Sequence, residues 1–85
     1  MLEVVTREEV MESMGDRIIE NINSNLLLCG KAGYVIERSE CDNREIAIKI
    51  GKDIAELYRR KGYNVGIYEY GMSNRESFIG IYISL

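Results

Sequence analysis

The sequence contains no histidine, no proline and no tryptophan, and only one phenylalanine. Without histidine, the commonest general base near neutral pH and a common metal ligand are both missing. Without proline, nothing interrupts a helix or strand by removing a backbone donor. The two cysteines, Cys29 and Cys41, form neither a CxxC pair nor a metal-binding spacing. We read both as reduced thiols, Cys29 buried on a helix and Cys41 accessible in a loop. The longest apolar run is Leu26–Cys29, far short of a membrane span, so no membrane partner is expected. No secretory leader is read in the sequence, and the expected location is the cytoplasm. No phosphate-binding, metal-binding or cofactor signature is present, and no cofactor is expected.

What the chain does contain is ordinary for one globular domain: 85 residues, 46% hydrophobic and 29% charged. The net charge of −3 is unevenly spread, with −5 over residues 1–42 and +2 over residues 43–85. A chain acidic overall is poorly suited to neutralising a phosphate backbone.

Periodicity gives the elements. Thr6-Arg7-Glu8-Glu9 is a capping box, and Met11, Met14, Gly15, Ile18, Ile22, Leu26 and Cys29 follow on one helical stripe. The stripe persists through the polar run Asn21–Asn25, so a helix is predicted over about 7–31, ending at Gly30 or Gly33, with Leu27 exposed. A second reading stops this helix near Asn23 and makes a hairpin around GKAG. Tyr34–Ser39 is predicted as a strand over about 34–39. Asp42 as N-cap with Glu45 opens a second helix over about 43–61, whose stripe is Ile46, Ile50, Ile54 and Leu57, widened by Ala47 and Tyr58. Gly62 ends it behind Arg59-Arg60-Lys61, which complement the helix dipole. Gly51 marks either a local weakness or a close approach to Gly15.

The last third reads as a hairpin over about 63–85. Tyr63, Val65 and Ile67 share one face of the first strand, and Ile79, Ile81 and Ile83 one face of the second. An odd-numbered turn of five or three residues pairs Ile67 with Ile79, Val65 with Ile81 and Tyr63 with Ile83. The expected fold is α+β, in the order α-β-α-β-β. Two helices cover one face of a three-stranded, mostly antiparallel sheet whose central strand is the last.

The other face of that sheet carries Tyr68, Tyr70, Phe78 and Tyr82, with Gly66 opposite Gly80. Paired glycines mark either an aromatic ring lying over them or a close approach by a partner. The four aromatics are therefore the candidate partner-binding residues. A contiguous apolar patch of more than a few hundred Å² is uncommon on a monomer, and tyrosine is enriched at interface centres.

The punctuation Gly33-Tyr34-Val35, Lys61-Gly62-Tyr63-Asn64-Val65 and a terminal Ile81-Tyr82-Ile83-Ser84-Leu85 resembles small proteins encoded by tailed phages. That resemblance implies a host-takeover factor that binds and modulates a host protein in the host cytoplasm, and it carries over no catalytic residue. The expectation is a non-enzymatic protein-binding module, its partner a host protein or a second copy. The alternative is a nucleic-acid binder stacking bases on the sheet tyrosines, against which the acidic charge stands. An enzyme would have to draw on Glu37, Asp53, Glu56 and Glu69, none of them expected to pair in a cleft.

Overall fold

The computed structural model describes residues 2–85. Thr6 opens the first helix, α1 (Arg7–Cys29), as its sequence predicts. The Thr6 hydroxyl accepts the Glu9 N–H at 3.1 Å, and Glu9 Oε1 accepts the Thr6 N–H at 3.3 Å. Each bond satisfies a donor that the start of the helix would leave open. Periodicity outweighs composition through Asn21–Asn25, which stays helical, and the shorter helix ending near Asn23 does not form. The last helical residue is Cys29, two before Lys31, and the terminator is Gly30, one of the two expected glycines, which adopts φ 76° and returns its N–H to the Leu26 carbonyl at 2.8 Å.

With the chain reversed by that single residue, β1 (Lys31–Glu37) begins at once, three residues earlier than expected. It also stops two residues earlier. Glu40 Oε1 accepts the Glu37 N–H at 3.1 Å, and the Glu37 carbonyl accepts from the N–H groups of Glu40 and Cys41. The second helix, α2 (Arg44–Arg60), is capped by Asn43, whose Oδ1 accepts the Ile46 N–H at 3.1 Å. Asp42, the expected cap, is drawn instead to Arg38 at 2.7 Å. Gly62, at φ 95°, follows the helix, and Arg59 and Arg60 occupy its last turn.

Strands β2 (Asn64–Glu69) and β3 (Ser77–Ser84) complete an antiparallel sheet of order β1-β3-β2, with the most apolar strand central. The β2–β3 register is displaced by two residues from expectation: Ile67 faces Ile81 and Val65 faces Ile83. The cause lies in the turn. Asn74 Oδ1 accepts the N–H groups of Glu76 at 3.0 Å and Ser77 at 2.9 Å, which keeps both from pairing with β2, and Tyr70 donates instead to the Phe78 carbonyl at 2.9 Å. A two-residue displacement does not by itself exchange the faces, because side chains alternate with a period of two.

Ile18 and Ile22 of α1, Ile50 and Ile54 of α2, Ile36 of β1 and Ile79, Ile81 and Ile83 of β3 form the core. The buried stripe of α2 is Ala47, Ile50, Gly51, Ile54, Ala55 and Tyr58. It keeps the expected Ala47, Ile50, Ile54 and Tyr58 but is rotated away from Ile46 and Leu57, so that Ile46 is half-buried and Leu57 is 49% exposed. Close packing causes the rotation. A Cβ at Gly51 would lie 2.9 Å from two atoms of Ile79, so small residues at 47, 51 and 55 let the α2 backbone settle onto β3. Gly51 therefore meets Ile79 and not Gly15, whose Cβ position has nothing within 4 Å.

The two thiols exchange their expected roles. Cys41 is buried and Cys29 is exposed. The α1 stripe is already half-buried at Leu26, and its last turn leaves Cys29 in solvent. There its thiol lies against the carbonyls of Asn25 (3.5 Å) and Lys31 (3.4 Å). The turn after β1 folds Cys41 inward, its N–H held by Glu37.

Candidate functional site

Strand alternation assigns four residues of β1, four of β3 and three of β2 to the face away from the helices. They are Lys31, Gly33, Val35 and Glu37 on β1, Phe78, Gly80, Tyr82 and Ser84 on β3, and Asn64, Gly66 and Tyr68 on β2, with Tyr70 just beyond it. Tyr68 and Tyr82 are 59% and 47% exposed, and Tyr70 is half-buried. The rings of Tyr68 and Tyr70 meet edge to face, with centroids 4.9 Å apart and planes at 79°.

Tyr82 ties the group together. The register sets it between Gly33 on one neighbouring strand and Gly66 on the other, so Gly66 does not face Gly80 as expected. Its ring lies over the glycines. A Cβ at Gly80 would come 2.8 Å from the Tyr82 hydroxyl, and one at Gly33 would come 3.2 Å from Tyr82 Cδ1. The aromatic covering that the glycines signal thus comes from within the chain. The neighbouring Tyr82 side chain is the main reason the Tyr70 hydroxyl ionises above its ordinary range. Three of the four expected aromatics, Tyr68, Tyr70 and Tyr82, are thereby brought together.

Phe78 is not part of the exposed group; it is 7% exposed and belongs to the core. The β1–β3 register steps from Ile36↔Ile79 to Glu37↔Ser77, which leaves Phe78 as the extra residue of a β-bulge. A bulge re-aims the side chain it carries, and simple alternation fails there.

Among the described residues the charged ones on this face of the strands are Lys31 and Glu37, one of each sign. The four acids considered for catalysis do not assemble: Asp53 pairs with Lys49, Glu56 with Arg59 and Arg60, and Glu69 with Lys52. Among the described residues no group of three potential metal ligands comes together, and no helix is long and apolar enough to cross a membrane.

A second surface was missed in the sequence. Leu57, Tyr58, Tyr63, Asn23 and Leu85 line a groove of about 710 Å³ between the helices and the chain's last residue. The Tyr58 hydroxyl lies 2.6 Å from Asn23 Oδ1, its ring stands edge to face with Tyr63, and burial pushes its ionisation up. The small-residue spacing 47/51/55 was the available signal, since it turns Leu57 out of the core. Elsewhere Tyr34 donates to Glu40 Oε2 at 2.6 Å, and burial followed by this bond pushes its hydroxyl up to about 12. Comparison of the chain with family models, with curated proteins and with solved structures finds no match.

Proposed function

We propose that this chain is a small protein-binding module that acts by contact rather than by catalysis, through the tyrosine face of its sheet. The observation that carries this reading is the exposure of Tyr68 and Tyr82 on a scaffold that already fixes their rings. An aromatic held by its neighbours loses little conformational freedom on binding, and rigid tyrosines are common energetic anchors of interfaces. The face is close to neutral, which suits a protein partner better than a polyanion. A base-stacking platform needs basic residues interleaved with its aromatics, and here Lys31 is balanced by Glu37. The resemblance to phage takeover factors supplies the partner pool, a bacterial host's proteins.

The test is capture from a bacterial lysate with the wild-type chain, Tyr68→Ala and Tyr82→Ala as parallel baits. A specific partner should be retained by the wild type and lost with both variants, while the variants unfold cooperatively. Truncating a central aromatic anchor typically costs roughly 2 kcal/mol or more of binding. Equal capture by all three baits, or retention of nucleic acid that falls steeply as salt rises, would defeat the reading.

A further inference from the structure

Independently of the tyrosine face, we infer that the open edge of β1 pairs with the same edge of a second copy, joining two sheets into one of six strands. The argument begins with which backbone groups face outward. β1 is an edge strand. At its two ends, Gly30 accepts from the Leu85 N–H and Arg38 donates to the Glu76 carbonyl, both toward β3 and the turn before it. In an antiparallel ladder successive residues alternate in direction. The even-numbered residues of β1 therefore turn their N–H and C=O groups toward β3, and Lys31, Gly33, Val35 and Glu37 turn theirs away from it.

Both ends of this edge are already occupied. The Lys31 carbonyl lies against the Cys29 thiol, and Glu37 has its N–H bound by Glu40 and its carbonyl bound by Glu40 and Cys41. That leaves Gly33 and Val35 each with an unpaired donor and acceptor in the middle of the edge. An antiparallel copy related by a two-fold axis at Tyr34 sets Gly33 opposite Val35 of the second copy, and Val35 opposite its Gly33. This one register satisfies all of those groups reciprocally.

The same register sets Lys31 opposite Glu37 of the second copy, and Glu37 opposite its Lys31, on one face of the joined sheet. Among the described residues neither side chain makes an ion pair within its own chain. Two opposite-charge cross-strand pairs favour this register, and like charges there would oppose it. The β2 edge offers no such charge pairs: a two-fold about Gly66 would set Val65 opposite Ile67, and one about Ile67 would set Val65 opposite Glu69, whose carboxylate already holds Lys52 at 3.0 Å.

Sedimentation equilibrium of the full chain tests this with a charge swap. Lys31→Glu and Glu37→Lys should each weaken the dimer by about tenfold or more, since each turns two attractive pairs into repulsive ones. The double variant K31E/E37K should restore association to near the wild-type level. Val35→Pro, which removes an outward N–H from an edge strand, should give a monomer. In the wild type, exchange of the Gly33 and Val35 amides should slow as protein concentration rises. A wild-type monomer at the highest attainable concentration overturns the proposal. So do single reversals that leave the dimer unchanged, a double variant that is not rescued, or amides whose exchange ignores concentration. A dimer lost on Tyr82→Ala but indifferent to the charge swap would place self-association on the tyrosine face and likewise overturn it.

Discussion

Two glycines sit in the middle of helices, and replacing each with alanine should move stability in opposite directions. At an unhindered helical site, Gly→Ala stabilises by roughly 0.5–1 kcal/mol through helix propensity and a less flexible unfolded chain. Gly15 in α1 is such a site: its φ is negative and nothing lies within 4 Å of the added Cβ. Gly51 in α2 gains the same propensity but meets an obstacle. Its Cβ would stand 2.9 Å from both Cδ1 and Cγ2 of Ile79, and 3.4 Å from Cγ1. Cδ1 can swing, but Cγ2 is fixed by the β-branched χ1, and Ile79 is fully buried. Relief requires α2 and β3 to separate, and overpacking of this kind costs about 1–3 kcal/mol. The clash wins, and Gly51→Ala should destabilise by about 1 kcal/mol. The two variants then differ by about 2 kcal/mol, roughly 8–16 °C in Tm for a domain of this size. Urea unfolding followed by circular dichroism reads the difference, provided the slope m is unchanged. On an Ile79→Ala background, Gly51→Ala should become neutral or stabilising. A Gly51→Ala protein as stable as Gly15→Ala would show that α2 does not lie on β3 in this way.

Under native conditions a thiol reagent should label Cys29 at once and Cys41 only on unfolding; the reverse order would contradict the burial found here. Ile81, fully buried and flanked by Tyr34 and Ile67, should lose roughly 2–5 kcal/mol on truncation to alanine, measured by the same urea titration. A loss under about 1 kcal/mol would mean the sheet faces have been exchanged. Ultraviolet titration should find a tyrosine ionising near pH 12 that disappears in Tyr34→Phe. Because the folded hydroxyl ionises above its unfolded value of 10.0, its contribution is present below pH 10 and lost as pH rises toward 12. A pH-independent stability difference between Tyr34→Phe and wild type across that window would exclude it.

The elements and the order of the sheet could be read from the sequence because each rests on a repeated signal. The α1 stripe recurs often enough to carry the helix through Asn21–Asn25, against the composition of that run. The central position of β3 follows from its apolar content. Misreadings fall where one local contact decides. Asn43 displaced Asp42 as the cap because Arg38 holds the Asp42 carboxylate. Asn74 lengthened the turn by holding two N–H groups that a shorter loop would have paired. Phe78 left the aromatic face because a bulge interrupts alternation at that residue, and nothing in its neighbours announces a bulge. Cys29 and Leu57 fell on apolar stripes by period. Where a helix overruns its sheet, or rolls to let small residues make contact, is a tertiary fact.

The candidate surfaces differ in the same way. A sheet face is written in side chains, so alternation alone located Tyr68, Tyr70 and Tyr82. A sheet edge is written in backbone groups, which every residue but proline possesses and no residue type distinguishes. Which of them point outward depends on the inter-strand register, here fixed by the bonds of Gly30 and Arg38 at the two ends of β1. A change of that register by one residue would leave the letters KAGYVIE intact. It would turn the groups of Ala32, Tyr34 and Ile36 outward and those of Gly33 and Val35 inward. Lys31 and Glu37 would still stand opposite each other in a two-fold pairing, but the backbone groups beside them would differ. The charge pair is therefore visible in the sequence only after the structure has shown which edge is open. Its rescue by charge exchange probes the side-chain register. The exchange rates of the Gly33 and Val35 amides probe the backbone, and the two measurements must agree for one geometry to account for both.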